Sequence, residues 1–463
     1  MRAALWGTSQ ASCLQTIPPF TALDPDMTDT STPKTDQNIS PLNRFLRATE
    51  IDTRLLGMLG ALMLIWFGFH FYGAIFGNGG FFLTPRNLWN LSVQTSSIGI
   101  MATGMVLVIV TRNIDLSVGA LLGLTAMIMG LLQVNILPQY LGLGSPFIWI
   151  IAVVVGMTAG TIIGAFQGWL IAYRGIPAFI VTLGGLLIWR GCAFLAAGGR
   201  TISPVDANFA LLGGGPYGAV GETGSWIVGL LACVGVIWML HSGRKQRREH
   251  DFKLRPMWAE GFLAAVGCGA IIGAVLLVNA YPWPTGIVNA YAKANNITVP
   301  PEGLVISHGF AIPVLILVTV GILMTILMTR TRFGRYVFAI GGNPEAAALA
   351  GINTKWMTMK IFALMGMLAG LAGVVASARL NSATNALGVF DELYVIAAAV
   401  IGGTSLAGGL GTIYGAILGA LVMQSLQTGM VLIGFDTAIQ QIVVGSVLVL
   451  AVYLDNLYRK KVK

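Results

Sequence analysis

Charge is scarce in this chain. Asp, Glu, Lys and Arg make up 10% of its 463 residues, while hydrophobic residues make up 56%. A soluble domain carries about 25% charged residues, so a water-facing surface could not be built at this length. Cysteine and histidine are also few. Cys13, Cys192, Cys233 and Cys268 form no CxxC or CxxH spacing, and His70, His241, His250 and His308 are scattered, which excludes a disulfide framework and a metal site. The dipeptide Gly-Lys does not occur, so no P-loop can cradle nucleotide phosphates. The segment 405–411, SLAGGLG, has the glycines of a nucleotide loop but no lysine, and apolar residues surround it. The chain is read as binding no cofactor, no metal and no nucleotide of its own.

What is present is long apolar blocks. A membrane-crossing helix needs about 20 such residues, and the bilayer forces each block to satisfy its own backbone hydrogen bonds as a helix. Twelve blocks are visible, near 55–76, 88–110, 116–134, 147–172, 177–197, 226–241, 259–280, 309–329, 357–378, 393–408, 412–432 and 437–455. Block 226–241 is short, and glycines at 402, 403, 408 and 409 make 393–408 a candidate broken or re-entrant helix. The fold class is therefore all-α: a polytopic membrane protein with about twelve apolar segments, at least ten of them spanning.

The net charge of +9 sits in a few loops rather than on one face, which fits membrane orientation and not nucleic acid. With a cytosolic N-terminus, that side holds Arg44, Arg47, Arg54, Arg112, Arg174, the run Arg244 to Arg255, Arg330, Arg332, Arg335, Lys355 and the tail Arg459 to Lys463. The other side keeps Arg86, Arg200, Lys293 and Arg379. Both termini are expected in the cytosol. Residues 1–53 are polar and read as a disordered cytosolic tail, with Met1 or Met27 as the start; 54–457 form the transmembrane domain and 458–463 a basic tail.

Four glycines, Gly156, Gly160, Gly164 and Gly168, recur along one helical face, a spacing that lets helices approach closely. Gly366 and Gly370, and Gly411, Gly415 and Gly419, repeat it. Intramembrane polar residues are costly and mark solute paths. Block 88–110 carries Asn90, Ser92, Gln94, Ser96 and Ser97, and Gln167 interrupts the glycine face. Asn90, Gln94, Ser97 and Gln167 are the path candidates, with helix-to-helix hydrogen bonding as the equal alternative. Asp115 reads as a cap for the following helix rather than a proton relay. Acidic residues are otherwise almost absent from the blocks, against an ion-coupled carrier. In 329–356, a turn at Gly341 to Pro344 feeds a short Ala-rich helix that Gly351 ends, a docking element for a cytosolic partner.

Four segments together resemble one family: TRNIDLSVG (111–119), GAFQGWLIAYRGIPAFIVTLGG (164–185), FGRYVFAIGGNPEAAALAGIN (333–353) and VIGGTSLAGGLGTIYGAILGA (400–420). They are similar to permease subunits of bacterial ATP-binding-cassette sugar importers of the ribose and xylose type, over about 55–457. The resemblance implies a multi-pass homodimer in the inner membrane's lipid, a separate cytosolic ATPase that hydrolyses the ATP, and a periplasmic sugar-binding protein. It places Gly342, Asn343, Glu345, Ala346, Ala347 and Gly351 in the loop, 330–356, that couples to the ATPase. Gln167, where many relatives carry Asn, and an extra hairpin over 225–305 around the basic loop 243–256 point to the xylose branch. The reading is a non-enzymatic transport subunit for a pentose, D-xylose first. An ion-driven secondary transporter, or a related permease for another sugar or a branched-chain amino acid, are the alternatives.

Overall fold

The computed structural model describes residues 41–77, 79–301 and 303–462; the expected tail up to residue 40, the start at Met1 or Met27, and Lys463 lie outside them. Every long element among the described residues is a helix. In chain order these are α1 (Pro41–Thr49), α2 (Thr53–Phe76), α3 (Pro85–Val110), α4 (Val118–Leu131) and α5 (Phe147–Arg174). There follow α6 (Ala178–Ala197), α7 (Gly221–Glu249), α8 (Met257–Asn279), α9 (Ile312–Arg330), α10 (Arg332–Gly342) and α11 (Pro344–Leu349). The chain closes with α12 (Thr354–Leu380), α13 (Asp391–Ile401), α14 (Ile413–Leu432) and α15 (Thr437–Val462). Residues 41–49, placed in the tail by the sequence reading, are thus helical, and α15 runs through most of the basic tail. Among the described residues ten helices are long and apolar enough to cross a membrane, one of them α4 continued to Leu141.

Helix ends follow local chemistry. Thr84 caps α3 ahead of Pro85 at its first turn, accepting from the Asn87 amide at 3.4 Å. Thr412 caps α14 in the same way, through the Gly415 amide at 3.3 Å. Gly175, Gly198 and Asn381 end α5, α6 and α12 in the left-handed conformation that glycine and asparagine tolerate.

Helices α3 and α12 are buried along most of their length and form the core, with α4 and α14 beside them. The outer helices α2, α6, α7 and α8 expose apolar side chains, as lipid contact requires. The glycine stripe lies at the seam between α5 and α12. Gly160 meets the Gly366 carbonyl, Gly164 the Phe362 carbonyl, and Gly168 the backbone of Met359, while Gly156 accommodates the Met129 side chain and Gly370. With no hydrophobic driving force inside a bilayer, this close approach is what dispersion needs to hold two helices together.

Block 226–241, the short one, extends into the 29-residue α7. Block 393–408 is broken as its glycines implied. The chain leaves α12 in a segment of successive turns, 381–390, that folds back into the bundle. Ala383 pairs with Ile202 and touches Gly130, and Gly388 then packs on Gly119 a few turns further along α4. α13 follows for 11 residues, and the glycine-rich loop 402–412 returns to the end of α3, where the Gly409 amide donates to Val110 O at 3.0 Å.

One face of the bundle gathers the basic loops. Glu50, just after α1, bridges Arg247 and Arg255 of the α7–α8 connection, at 2.6 and 2.8 Å. Arg112 reaches the Gly341 carbonyl at 2.9 Å and the Gly342 carbonyl at 2.6 Å. The extra hairpin, α7 with α8, leans on the rest of the bundle mainly through α1 and α3.

Candidate functional site: a polar cavity and an exposed helix

The cavity is built on a stripe of α3. Asn87, Asn90, Gln94 and Ser97 recur at three- and four-residue spacing, so one helical face carries them all. Opposite stands a matching stripe of α14, Gln424, Gln427, Thr428 and Val431. The Gln424 amide nitrogen donates to Gln94 Oε1 at 3.0 Å, and the Thr428 hydroxyl to the same oxygen at 3.4 Å. The remaining walls are the end of α12, with Arg379, and the turn segment 386–389, followed by Asp391 at the start of α13. The enclosed volume is about 440 Å³, within the range of small-ligand sites. A smaller cavity of about 200 Å³ beside Trp89 and Gly213 to Gly215 shares Asn90, Gln94 and Arg379 with it.

Three of the four path candidates therefore meet. Gln167 does not: it is 1% exposed and pairs with the Ser117 hydroxyl at 3.0 Å, within the α4–α5 packing. Ser117 in turn donates its hydroxyl to Asp115 at 2.6 Å and its amide to the same oxygen at 2.8 Å. This buried Asp–Ser–Gln chain braces the turn into α4; Asp115 accepts from Ser117, ahead of the helix, and not from the amides of the first turn, so it is a brace rather than the cap its position suggested. Ser92 and Ser96 bond back to carbonyls of their own helix.

The intramembrane charges escaped the sequence reading. Arg190, in the middle of α6, donates to the carbonyls of Asn385 at 3.0 Å, Leu387 at 2.6 Å and Gly388 at 3.0 Å. It pins the turn-built wall at three of its carbonyls. A single arginine inside the block LLIWRGC (186–192) was the available signal. Asp391 and Glu392 open α13, where the helix dipole favours carboxylates. One acid, Asp391, is thus present at the cavity, where the block boundary at 393 hid it.

On the basic face, α11 is a single exposed turn and a half with well-defined ends. Asn343 Oδ1 accepts from the amides of Glu345 and Ala346, both at 3.0 Å, and Pro344 starts the helix without an amide to satisfy. Gly351, at φ +83°, allows the exit, and Ile352 N donates to Ala347 O at 3.1 Å. Gly342, Glu345, Ala346 and Gly351 are exposed, as a docking surface needs. Ala347 is not: it is 4% exposed and faces the chain's own core, so it cannot seat in a partner's groove. Leu349, which the sequence reading passed over, is 90% exposed.

Residues 87–452 match the family described as the permease component of the branched-chain amino acid transport system. The chain belongs to this permease family. The xylose transport system permease protein of Haemophilus influenzae is 35% identical over 382 residues, 82% of this chain and 92% of that protein. The Escherichia coli xylose permease is 36% identical over 82% of this chain and 88% of its own length. The Escherichia coli ribose import permease is 33% identical, covering 81% and 87%. No solved structure matches. The permease is a multi-pass protein of the bacterial inner membrane, of the group that includes the xylose, ribose and allose permeases.

Proposed function

We propose that this chain is the membrane subunit of an ATP-driven importer for D-xylose. The observation that carries the proposal is the likeness to xylose permeases over 82% of the chain, together with a cavity walled by amides and hydroxyls. Amides and hydroxyls both donate and accept, so they match a ring of hydroxyl groups without fixing a charge. Two copies form the unit, a periplasmic sugar-binding protein delivers the sugar, and a cytosolic ATPase docks on the α10–α11 loop. The basic face, with both termini, is the cytosolic one. Alternating access would open the cavity to one face and then the other while the partner hydrolyses ATP; the permease itself binds no cofactor.

A second reading has one observation in its favour. Arg379 and Asp391, on two walls of the cavity, could hold the carboxylate and ammonium of an amino acid. Against it, an isobutyl side chain would then face Gln94, Gln424 and Thr428, whose remaining donors and acceptors a sugar's hydroxyls would pair and an alkyl group would not.

Proteoliposomes decide. With the ATPase, the binding protein and ATP, concentrative uptake of D-xylose is expected to exceed that of ribose or leucine. Concentrative xylose uptake by the permease alone under a proton or sodium gradient would overturn the ATP-driven reading, and preferential leucine uptake would overturn the sugar.

A further inference from the structure

We infer that Asp391 and Arg379 form a transit subsite for the sugar inside the membrane, on top of whatever selection the delivering protein makes. The inference rests on the sugar-import reading. Among the eighteen residues that line the cavity, these two are the charged ones. They approach from different elements, Arg379 from the last turn of α12 and Asp391 from the first turn of α13. Asp391 sits within electrostatic reach of Arg379 and Arg190, yet no ion pair joins it to either among the described residues.

Asp391 is half-buried and Arg379 exposed, and both line the cavity with no ion pair closed between them, so their charges remain open to a solute. Arg190 clamps the carbonyls of 385, 387 and 388, which fixes the approach to Asp391, and Phe390 at φ +67° holds a conformation that a bulky residue rarely adopts. A polyol matches such a pair chemically: a carboxylate accepts from two neighbouring hydroxyls, and a guanidinium donates to ring and hydroxyl oxygens. Gln94, Gln424 and Thr428, already hydrogen-bonded to each other, offer the remaining donors and acceptors from the opposite walls. Charge-assisted hydrogen bonds are the stronger kind, so these two side chains would set most of the affinity.

The test reads occupancy of the cavity directly. In the full transporter complex, with the four cysteines replaced and Gln427→Cys introduced on the cavity wall, maleimide labelling is timed with D-xylose, L-leucine or neither. D-xylose should slow labelling severalfold. Adding Asp391→Asn, which keeps the side chain's shape, should raise the sugar needed for protection by about tenfold or more, the usual effect of removing one charged hydrogen-bond partner. Co-purification with the ATPase checks that this variant still assembles, and the measurement on Gln427→Cys alone stands if it does not. No protection by xylose, in a complex that still imports xylose, overturns the subsite and leaves the import reading standing. Protection by leucine and not xylose overturns both, and protection that Asp391→Asn leaves unchanged overturns the role of the acid.

Discussion

The exposed leucine on α11 gives the sharpest test of how this permease meets its ATPase. Leu349 is 90% exposed, so its side chain makes almost no contact within the chain, while two residues earlier Ala347 is 4% exposed. Leu349→Asn replaces an apolar group with a polar one of similar size. If Leu349 is buried in the partner, the exchange forfeits the transfer of a leucine side chain, about 1.5–3 kcal/mol. At about 1.4 kcal/mol per decade, the dissociation constant should rise by about 10- to 150-fold. Thermal unfolding of the isolated permease should shift little, since surface changes stay within about 0.5 kcal/mol. Ala347→Arg should do the opposite: it forces a charged chain into packed interior and should lower the yield of folded permease before any partner is added. The measurement is titration of the purified ATPase onto permease held in nanodiscs, with unfolding followed in parallel. A Leu349→Asn permease that binds the ATPase within twofold of the wild type would refute the idea that this leucine is part of the contact.

Two further outcomes follow from the packing and the charges. A methyl group at Gly168 would lie 2.8 Å from the Met359 Cα and 2.9 Å from the Phe362 Cβ, so Gly168→Ala should part α5 from α12 and destabilise by about 1–3 kcal/mol; Gly184→Ala, which meets nothing within 4 Å, serves as the control, and equal melting temperatures for the two variants would count against the seam. The Arg247 and Arg255 guanidiniums hold the Glu50 carboxylate at about 2, below its ordinary 4.5, so the attachment of α1 is present above pH 4.5 and is lost as the pH falls toward 2; hydrogen exchange of α1 should show that loosening in the wild type, weakly because Glu50 is half-exposed, and a Glu50→Gln permease should exchange faster at neutral pH with no such pH step.

Much of the fold is legible because a bilayer leaves few choices. An apolar run of spanning length can only be a helix. The α3 wall is legible too, since Asn90, Gln94 and Ser97 fall on one face of a helix whose period is known. The opposite walls are not. The stretch NSATNALGVF (381–390) reads as a surface loop, and nothing local says that it folds back to line the cavity; that depends on Arg190, nearly 200 residues away in the chain. For the same reason nothing local showed that Arg379, at the end of α12, would line the cavity. Gln167 misled in the other direction. Inside a membrane an amide is costly wherever it points, so its presence announces a polar neighbour without saying whether that neighbour is a solute or Ser117.

Arg112 joins two regions that the chain keeps far apart. Its guanidinium holds the carbonyls of Gly341 and Gly342, one residue ahead of the Asn343 cap, while its own backbone leads straight out of α3, and Gly408 packs against its side chain. The exposed helix α11, the far end of α3 and the loop that leads into α14 are therefore tied at one knot. Free energies of binding at two such sites are reciprocal. If docking of the ATPase shifts the knot, the cavity's hold on its solute must change by some factor, and filling the cavity must change the grip on the ATPase by that same factor.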